Sequence, residues 1–411
     1  MSLYEDARMI MDEALASALP DNAVNKALNE LNLNDDGKTV LIAIGKAAWQ
    51  MAKAALSTLG DKVNAGVVIT KHDHSMGDLP NVQVFEAGHP VPDEDTIIAT
   101  EAALQAVTGL TEKDTVLFLI SGGGSALFEQ PKVSLDELKD ITSQLLGAGC
   151  DIVEMNTIRK RLSNVKGGRF AQICAPARVF SIVLSDIVGD PLDMIASGPA
   201  YPDSSTKEDA LQIIKRYQLN LSSKALAAME EETPKALSNV TTRITGSVRQ
   251  LCESAASTAK RLGYEPFILT ASLRSVAREA GAFLGAMAEH HQQTEKPLAF
   301  ICGGETVVQL VGNGLGGRNQ EIALAAVPYL SSCRDTCLFS LGSDGTDGPT
   351  DAAGGYVDDR TASKFEKLGL DNRAMLDNND AYHALKAVDG LIMTGPTGTN
   401  VNDVTVVLIK R

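Results

Sequence analysis

Short β-rich runs alternate with helical patterns along almost the whole chain, and this limits the fold more than any other feature. Strands are expected at 39–44, 66–70, 82–87, 115–120, 177–184, 266–269, 298–302, 306–311, 336–341 and 405–409. Helical periodicity fills the gaps at 3–19, 46–58, 93–108, 134–149, 206–217, 248–262, 273–291, 317–330, 360–369 and 379–388. Such alternation predicts α/β layers with mostly parallel strands. Ligand sites then gather at the carboxyl ends of the strands. The 411 residues suffice for two or three domains. Two polar stretches, EEETPKALS (230–238) and HQQTEKP (291–297), read as boundaries. The major division is expected at the first, giving domains 1–235 and 236–411.

Charge narrows the partners. There are 52 acidic residues against 37 basic ones, a net charge of −15, so nucleic acid and anionic membrane surfaces are disfavoured. A local basic pocket for a small anion remains compatible with that balance. The six cysteines contain no C-x-x-C pair, which suits a reducing cytosol. Acidic residues interrupt the first helix, unlike a signal peptide, and no apolar run nears the ~20 residues of a membrane span. A cytoplasmic protein is expected. The sequence is silent on assembly and allows a homodimer.

GNGLGGRNQ (312–320) poses a question. Gly312, Gly314 and Gly317 fit the dinucleotide fingerprint G-x-G-x-x-G, after an expected strand and before an expected helix. That reading makes the chain a nicotinamide-dependent reductase. The motif normally opens the first βα turn of its domain, whereas here it comes late. An acidic residue, Asp344, follows 27 positions after Gly317.

Other stretches ask for different chemistry. Lys46 follows an expected strand in AIGKAA (43–48), where its ammonium would meet an anion beside helix N–H groups. In ISGGGSA (120–126), Gly122, Gly123 and Gly124 allow close approach of a ligand to the backbone, and Ser121 and Ser125 add hydroxyls. This is neither a Walker loop nor a nucleophile elbow. The run IRKRLSNVKGGR (158–169) holds five basic residues and no acidic one. It reads either as a solvated face or as an anion pocket containing Arg159 and Lys166. Asp186 and Asp190 flank a turn after another expected strand, and Asp344 opens the aspartate-rich loop GSDGTDGPTD (342–351). These carboxylates suit Mg²⁺, or serve only as turn residues. Arg318 and Asn319 follow the last glycine of the fingerprint, and Gly316 precedes it. Thr399 and Asn400 lie in the loop GPTGTNVND (395–403). None of the six histidines has the setting of a Ser-His-Asp hydrolase.

Phosphoryl transfer needs anion-cradling loops, cations for developing charge, and carboxylates for Mg²⁺. All are present, whereas the reductase reading uses a single stretch. A non-catalytic sugar-acid or nucleotide sensor is the third alternative.

Taken in order, IGKAA, AGHPVPDE, ISGGGSAL, EMNTIRKRLSNVKGGR, SDIVGDP with IASGP, GGETVV, GGRNQE, SDGTDGPTDAAGG and GPTGTNVNDV span nearly the whole chain. As a set they resemble class II glycerate kinase, the glycerate 2-kinases with a C-terminal MOFRL domain. The resemblance implies an N-terminal Rossmann-like three-layer sandwich, a C-terminal α/β MOFRL-type domain and an active site in the cleft. It implies transfer from ATP, with Mg²⁺, to the 2-hydroxyl of D-glycerate. Lys46 and Arg318 match the catalytic lysine and arginine. ATP and glycerate contacts are expected from the glycine-rich loops, Arg159 or Lys166, and metal binding from Asp186, Asp190 or Asp344. No general base is assigned. Some members carry the label hydroxypyruvate reductase, an NAD(P)H-dependent alternative. Arg161 and Ala200-Tyr201 depart from the family pattern at positions where substrate fit is at stake.

Overall fold

The computed structural model describes every residue except Met1, Asp186, Val188 and Asp190. The chain divides into two compact units. One holds Ala23–Ser185 with residues 191–245, and the other holds residues 2–22 with Gly246–Arg411.

The first unit is built on six strands: β1 (Thr39–Ile44), β2 (Ala65–Lys71), β3 (Val82–Ala87), β4 (Thr115–Ile120), β5 (Arg178–Leu184) and β6 (Val240–Gly246). Their order is β3-β2-β1-β4-β5-β6. Pairings from β3 through β5 are all parallel. β1 (TVLIAI) and β4 (TVLFLI) are buried along their whole length. A continuous apolar run is what a central parallel strand needs, because helices cover both its faces. The helix Ala48–Leu59 covers one face through Trp49, Met51, Ala52 and Ala55, which join Leu41, Ala43, Leu117 and Leu119 in one core. Strand order reverses at β1 and β4, so a crevice is expected above their carboxyl ends.

The second unit carries β7 (Glu265–Leu273), β8 (Leu298–Gly304), β9 (Thr336–Gly342), β10 (Gly354–Asp358), β11 (Leu391–Ile392) and β12 (Asp403–Ile409). Their order is β11-β10-β9-β12-β8-β7. Only β7 and β8 pair in parallel; β12 runs antiparallel to both β8 and β9, and β10 to β9 and β11. The mostly parallel arrangement expected of the whole chain therefore holds in the first unit and fails in the second. The last strand enters between β8 and β9 in the opposite direction. Its start, Asp403, lies beside Gly304 and Gly342 at the ends of those strands.

The N-terminal helix Leu3–Ala18 belongs to this second unit. Ala7, Ile10, Met11, Ala14 and Leu15 recur at helical spacing and pack with Leu251, Ala255, Ile301 and Phe339. Asp6 accepts hydrogen bonds from Tyr264 Oη and Lys410 Nζ, each at 2.7 Å. The division expected at residue 235 thus shifts: the break comes after Thr245, and the first helix goes with the later sheet. The expected strand 306–311 is irregular, touching Val276 through an isolated bridge at Val307. Its Val307, Leu310 and Val311 are exposed, so they lack the burial that a run of apolar residues suggests. No helix among the described residues is long and apolar enough to cross a membrane.

Candidate active site

The turns after β1 and β4 are built into each other. Ser121 N–H donates to Ile44 O at 3.0 Å, and Lys46 N–H donates to Gly122 O at 2.9 Å. Ser121 Oγ accepts from Ala47 N–H at 3.1 Å and lies 3.2 Å from Ile44 O. The buried Ser121 hydroxyl is therefore committed to the scaffold rather than offered to a ligand. Gly45 must be glycine: its φ is +113°, and a Cβ would come within 2.3 Å of Ser121 Oγ.

This knot leaves Lys46 exposed, with no ion pair among the described residues. Gly123 takes φ +87°, and the N–H groups of Gly122 and Gly123 meet no acceptor among the described residues. A Cβ on Gly123 would stand 3.2 Å from Lys46 Cγ and 3.1 Å from His89 Nε2. Lysine, imidazole and a glycine turn with free N–H groups thus adjoin one another at the topological switch point, groups whose chemistry suits an anion. Ser125 Oγ pairs with Ser197 Oγ at 3.1 Å, and Ser197 Oγ donates to Asn156 Oδ1 at 3.0 Å. Ala196, Ser197 and Gly198 all have positive φ, at 51°, 60° and 63°. Two of these are non-glycine residues, so the loop stores backbone strain where it closes against Gly124.

The basic run is mostly internal. Lys160 Nζ lies 3.0 Å from Asp203 and 3.3 Å from Asp193. Arg161 is fully buried, donating to Thr157 O, Ser205 Oγ and Ser205 O. Its departure from the family pattern is thereby absorbed by packing against the 203–205 turn. Arg169 donates to Lys160 O and Ser163 O. Lys166 is also fully buried, donating to Phe128 O at 2.6 Å with Glu129 Oε2 at 3.3 Å. Burial pulls its ammonium below the ordinary lysine value, against the attraction of Glu129. The substrate contact expected of Lys166 is corrected on this ground: the ammonium is sealed inside the unit. Arg159 is the member of the run that forms no hydrogen bond or ion pair among the described residues. Burial also lowers its guanidinium, with Glu129 opposing.

In the second unit, groups converge where β8 and β9 end and β12 begins. Arg318 opens the helix Arg318–Leu330 and grips Asp403 with Nε to Oδ2 at 2.5 Å and Nη2 to Oδ1 at 3.0 Å. Its Nη1 lies 3.5 Å from Glu305. The Asp403 hydrogen bond holds the guanidinium above its ordinary value, so it stays charged. Asp347 caps the same helix from a distant loop, accepting Asn319 N–H at 3.1 Å and Gln320 N–H at 2.9 Å. Burial pushes the Asp347 carboxyl up to about 6 despite those N–H bonds. Asp344 Oδ1 accepts Thr346 N–H at 3.0 Å, and no hydrogen bond reaches its Oδ2 among the described residues. The other two expected metal ligands, Asp186 and Asp190, lie outside the described residues.

The fingerprint glycines have another use. Val311 and Gly312 N–H donate to Asn379 Oδ1, Asn313 N–H to Asn378 Oδ1, Gly314 N–H to Asn378 O and Leu315 N–H to Asp380 Oδ1. Five successive N–H groups are thus taken by the 378–380 turn. A Cβ on Gly312 would come within 2.3 Å of Asn378 O, and one on Gly314 within 2.4 Å of Asp380 Cβ. The glycines let two backbone segments touch, which corrects the nucleotide contact expected of Gly314. At Gly316 a Cβ would sit 3.2 Å from Ala381, the same packing. Asn319 is fully buried between Ser340 Oγ and Asp347, so its expected ligand contact is corrected too. Thr399 is buried with an unpartnered Oγ1, while Asn400 is exposed with Oδ1 on Asn402 N–H. Sequence reasoning gave His89 no role, and it singled out the stretches holding Glu305 and Asp403 without assigning either residue a task. Each sits at a strand terminus, the one signal that could have found them.

Residues 6–230 match the family described as Domain of unknown function (DUF4147), and residues 298–403 match the MOFRL family. A D-glycerate 2-kinase of Thermotoga maritima is 51% identical, with 99% of each chain covered. A protein of Agrobacterium vitis with the provisional name hydroxypyruvate reductase is 38% identical, covering 100% of this chain and 95% of its own. The crystal structure of the Thermotoga maritima glycerate kinase superposes with a TM-score of 0.94 at 50% identity, again with 99% of each chain covered. With the Lys46 crevice in its parallel sheet and the Arg318 cluster in its MOFRL-matching part, this chain belongs to the glycerate 2-kinase family.

Proposed function

We propose that this chain transfers the γ-phosphoryl group of ATP to the 2-hydroxyl of D-glycerate, yielding 2-phosphoglycerate and ADP. The observation that carries this reading is the switch-point crevice, where exposed Lys46 adjoins Gly123 and the N–H groups of Gly122 and Gly123 stay free among the described residues. The Thermotoga maritima relative, which shares almost the whole chain, is named for this reaction.

The phosphates lie against the Gly122–Gly123 backbone, whose N–H groups donate to their oxygens. Lys46 and Arg318 carry the charge that develops as the phosphoryl group moves. Asp403 keeps Arg318 extended and charged, so its orientation is fixed before substrate arrives. Arg159 takes the glycerate carboxylate, the task its planar fork suits. Asp344 would hold Mg²⁺: a partly buried carboxylate with one oxygen unclaimed is the hard ligand this ion prefers. When bound, the ion neutralises phosphate charge. Six free cysteines, five of them buried, suit a reducing cytoplasm.

The reductase alternative loses its main support, since the N–H groups from Val311 to Leu315, which include those of the first two fingerprint glycines, are already bonded. The test is glycerate-dependent ADP release by Lys46→Ala and Arg318→Ala. Each is expected to lower turnover by about 10²–10³-fold. Retention of most of the wild-type turnover by both would remove these roles.

A further inference from the structure

The mechanism above lacks a group to receive the proton of the attacking hydroxyl. His89 is placed for it. It follows β3 at the same carboxyl edge of the sheet, half-buried, and its ring forms no hydrogen bond or ion pair among the described residues. The ring edge faces the anion crevice. A Cβ on Gly123 would lie 3.0 Å from His89 Cδ2, 3.1 Å from Nε2 and 3.2 Å from Lys46 Cγ, so imidazole and lysine border the same glycine.

The backbone that carries the ring is held firmly. A Cβ on Gly88 would come within 2.7 Å of Asp93 Cγ. Asp93 caps the helix Glu94–Ala106 by accepting Thr96 N–H at 2.9 Å, and it pairs with His72 at 2.9 Å. An imidazole left without a partner on so determined a backbone, beside a lysine, has the setting of a reacting group rather than of a satisfied structural histidine.

We propose that His89, through Nε2, is the general base that accepts the substrate hydroxyl proton. This rests on the phosphotransfer reading. The hydroxyl oxygen forms its bond to the γ-phosphorus as its proton passes to Nε2. The bond from phosphorus to the bridging oxygen breaks, and its electron pair leaves on ADP. The His89 proton is afterwards released to solvent. Burial, then Lys46, Lys71 and His74, all press the imidazole below its ordinary value, so it is neutral and able to accept near pH 7.

The experiment follows ADP release by the wild type, His89→Gln and His89→Ala from pH 5 to 9, with fold checked by circular dichroism. For His89→Gln, kcat is expected to fall about 10²-fold while the KM for ATP changes less than about twofold. The wild-type acid limb, where protonated His89 cannot accept, disappears in the variant. Added imidazole partly restores His89→Ala. A folded His89→Gln enzyme that keeps both the wild-type kcat and its acid limb overturns the base role and leaves phosphotransfer standing. A wild-type chain that releases no ADP with glycerate overturns the phosphotransfer reading, and this role with it.

Discussion

Two glycine-rich turns in this molecule look alike in sequence and differ in what their backbones do. In the Ser121–Ser125 loop, the N–H groups of Gly122 and Gly123 stay open beside Lys46. In the Gly312–Gly317 run, successive N–H groups are taken by Asn378, Asn379 and Asp380. The first turn can receive a ligand, while the second joins two loops. A glycine pattern therefore acquires meaning only when the acceptors of its N–H groups are known.

Substituting a glycine in each turn sharpens this contrast. Gly123→Ala adds a methyl group between His89 and Lys46 at a backbone angle of +87°. It should lower kcat/KM for ATP by about 10³-fold, measured by coupled ADP release. The same contrast separates Lys166 from Arg159. Lys166→Met strands the buried Glu129 carboxylate and should cost about 3 kcal/mol of stability in urea unfolding. Gly314→Ala should cost about 2 kcal/mol by the same measurement, because backbone and Asp380 must shift, with KM for ATP unchanged. Arg159→Gln should raise KM for glycerate about tenfold with little change in melting temperature. A loss of stability in Arg159→Gln matching that of Lys166→Met would erase the distinction.

A further expected effect is in pH dependence. Asp347 ionises near 3.8 when unfolded and about 6 when folded. Across that window the fold binds the extra proton, so this group's contribution to stability is full below the lower value and is lost as pH rises through the upper one. Asp347→Asn should flatten the dependence of melting temperature on pH between those values.

Much of the first unit was legible because its central strands are continuous apolar runs, and parallel sheets demand them. The second was less so. Gly354–Asp358 and Leu391–Ile392 are too short to announce strands, and the direction of β12 is set by pairing remote in sequence. The exposed run 306–311 imitated a strand through composition alone. Within the site, Lys46 and the Ser121–Ser125 loop could be read locally, because the glycines and lysine follow strands directly. The fates of Lys166, Asn319 and Gly314 could not, since each is decided by a partner from elsewhere in the chain: Glu129, Asp347 and Asn378. His89 was hidden because its neighbours, Gly123 and Lys46, come from two other strand ends.

Phosphoryl transfer stands or falls on the identity of the product. Purified protein is incubated with ATP, Mg²⁺ and D-glycerate, and the product is read by phosphorus NMR. A parallel sample with NADH or NADPH and hydroxypyruvate is followed by absorbance. A glycerate 2-kinase gives ADP and 2-phosphoglycerate in the first and no cofactor oxidation in the second. Cofactor oxidation without ADP release would contradict that activity and return the Gly312–Gly317 run to a dinucleotide.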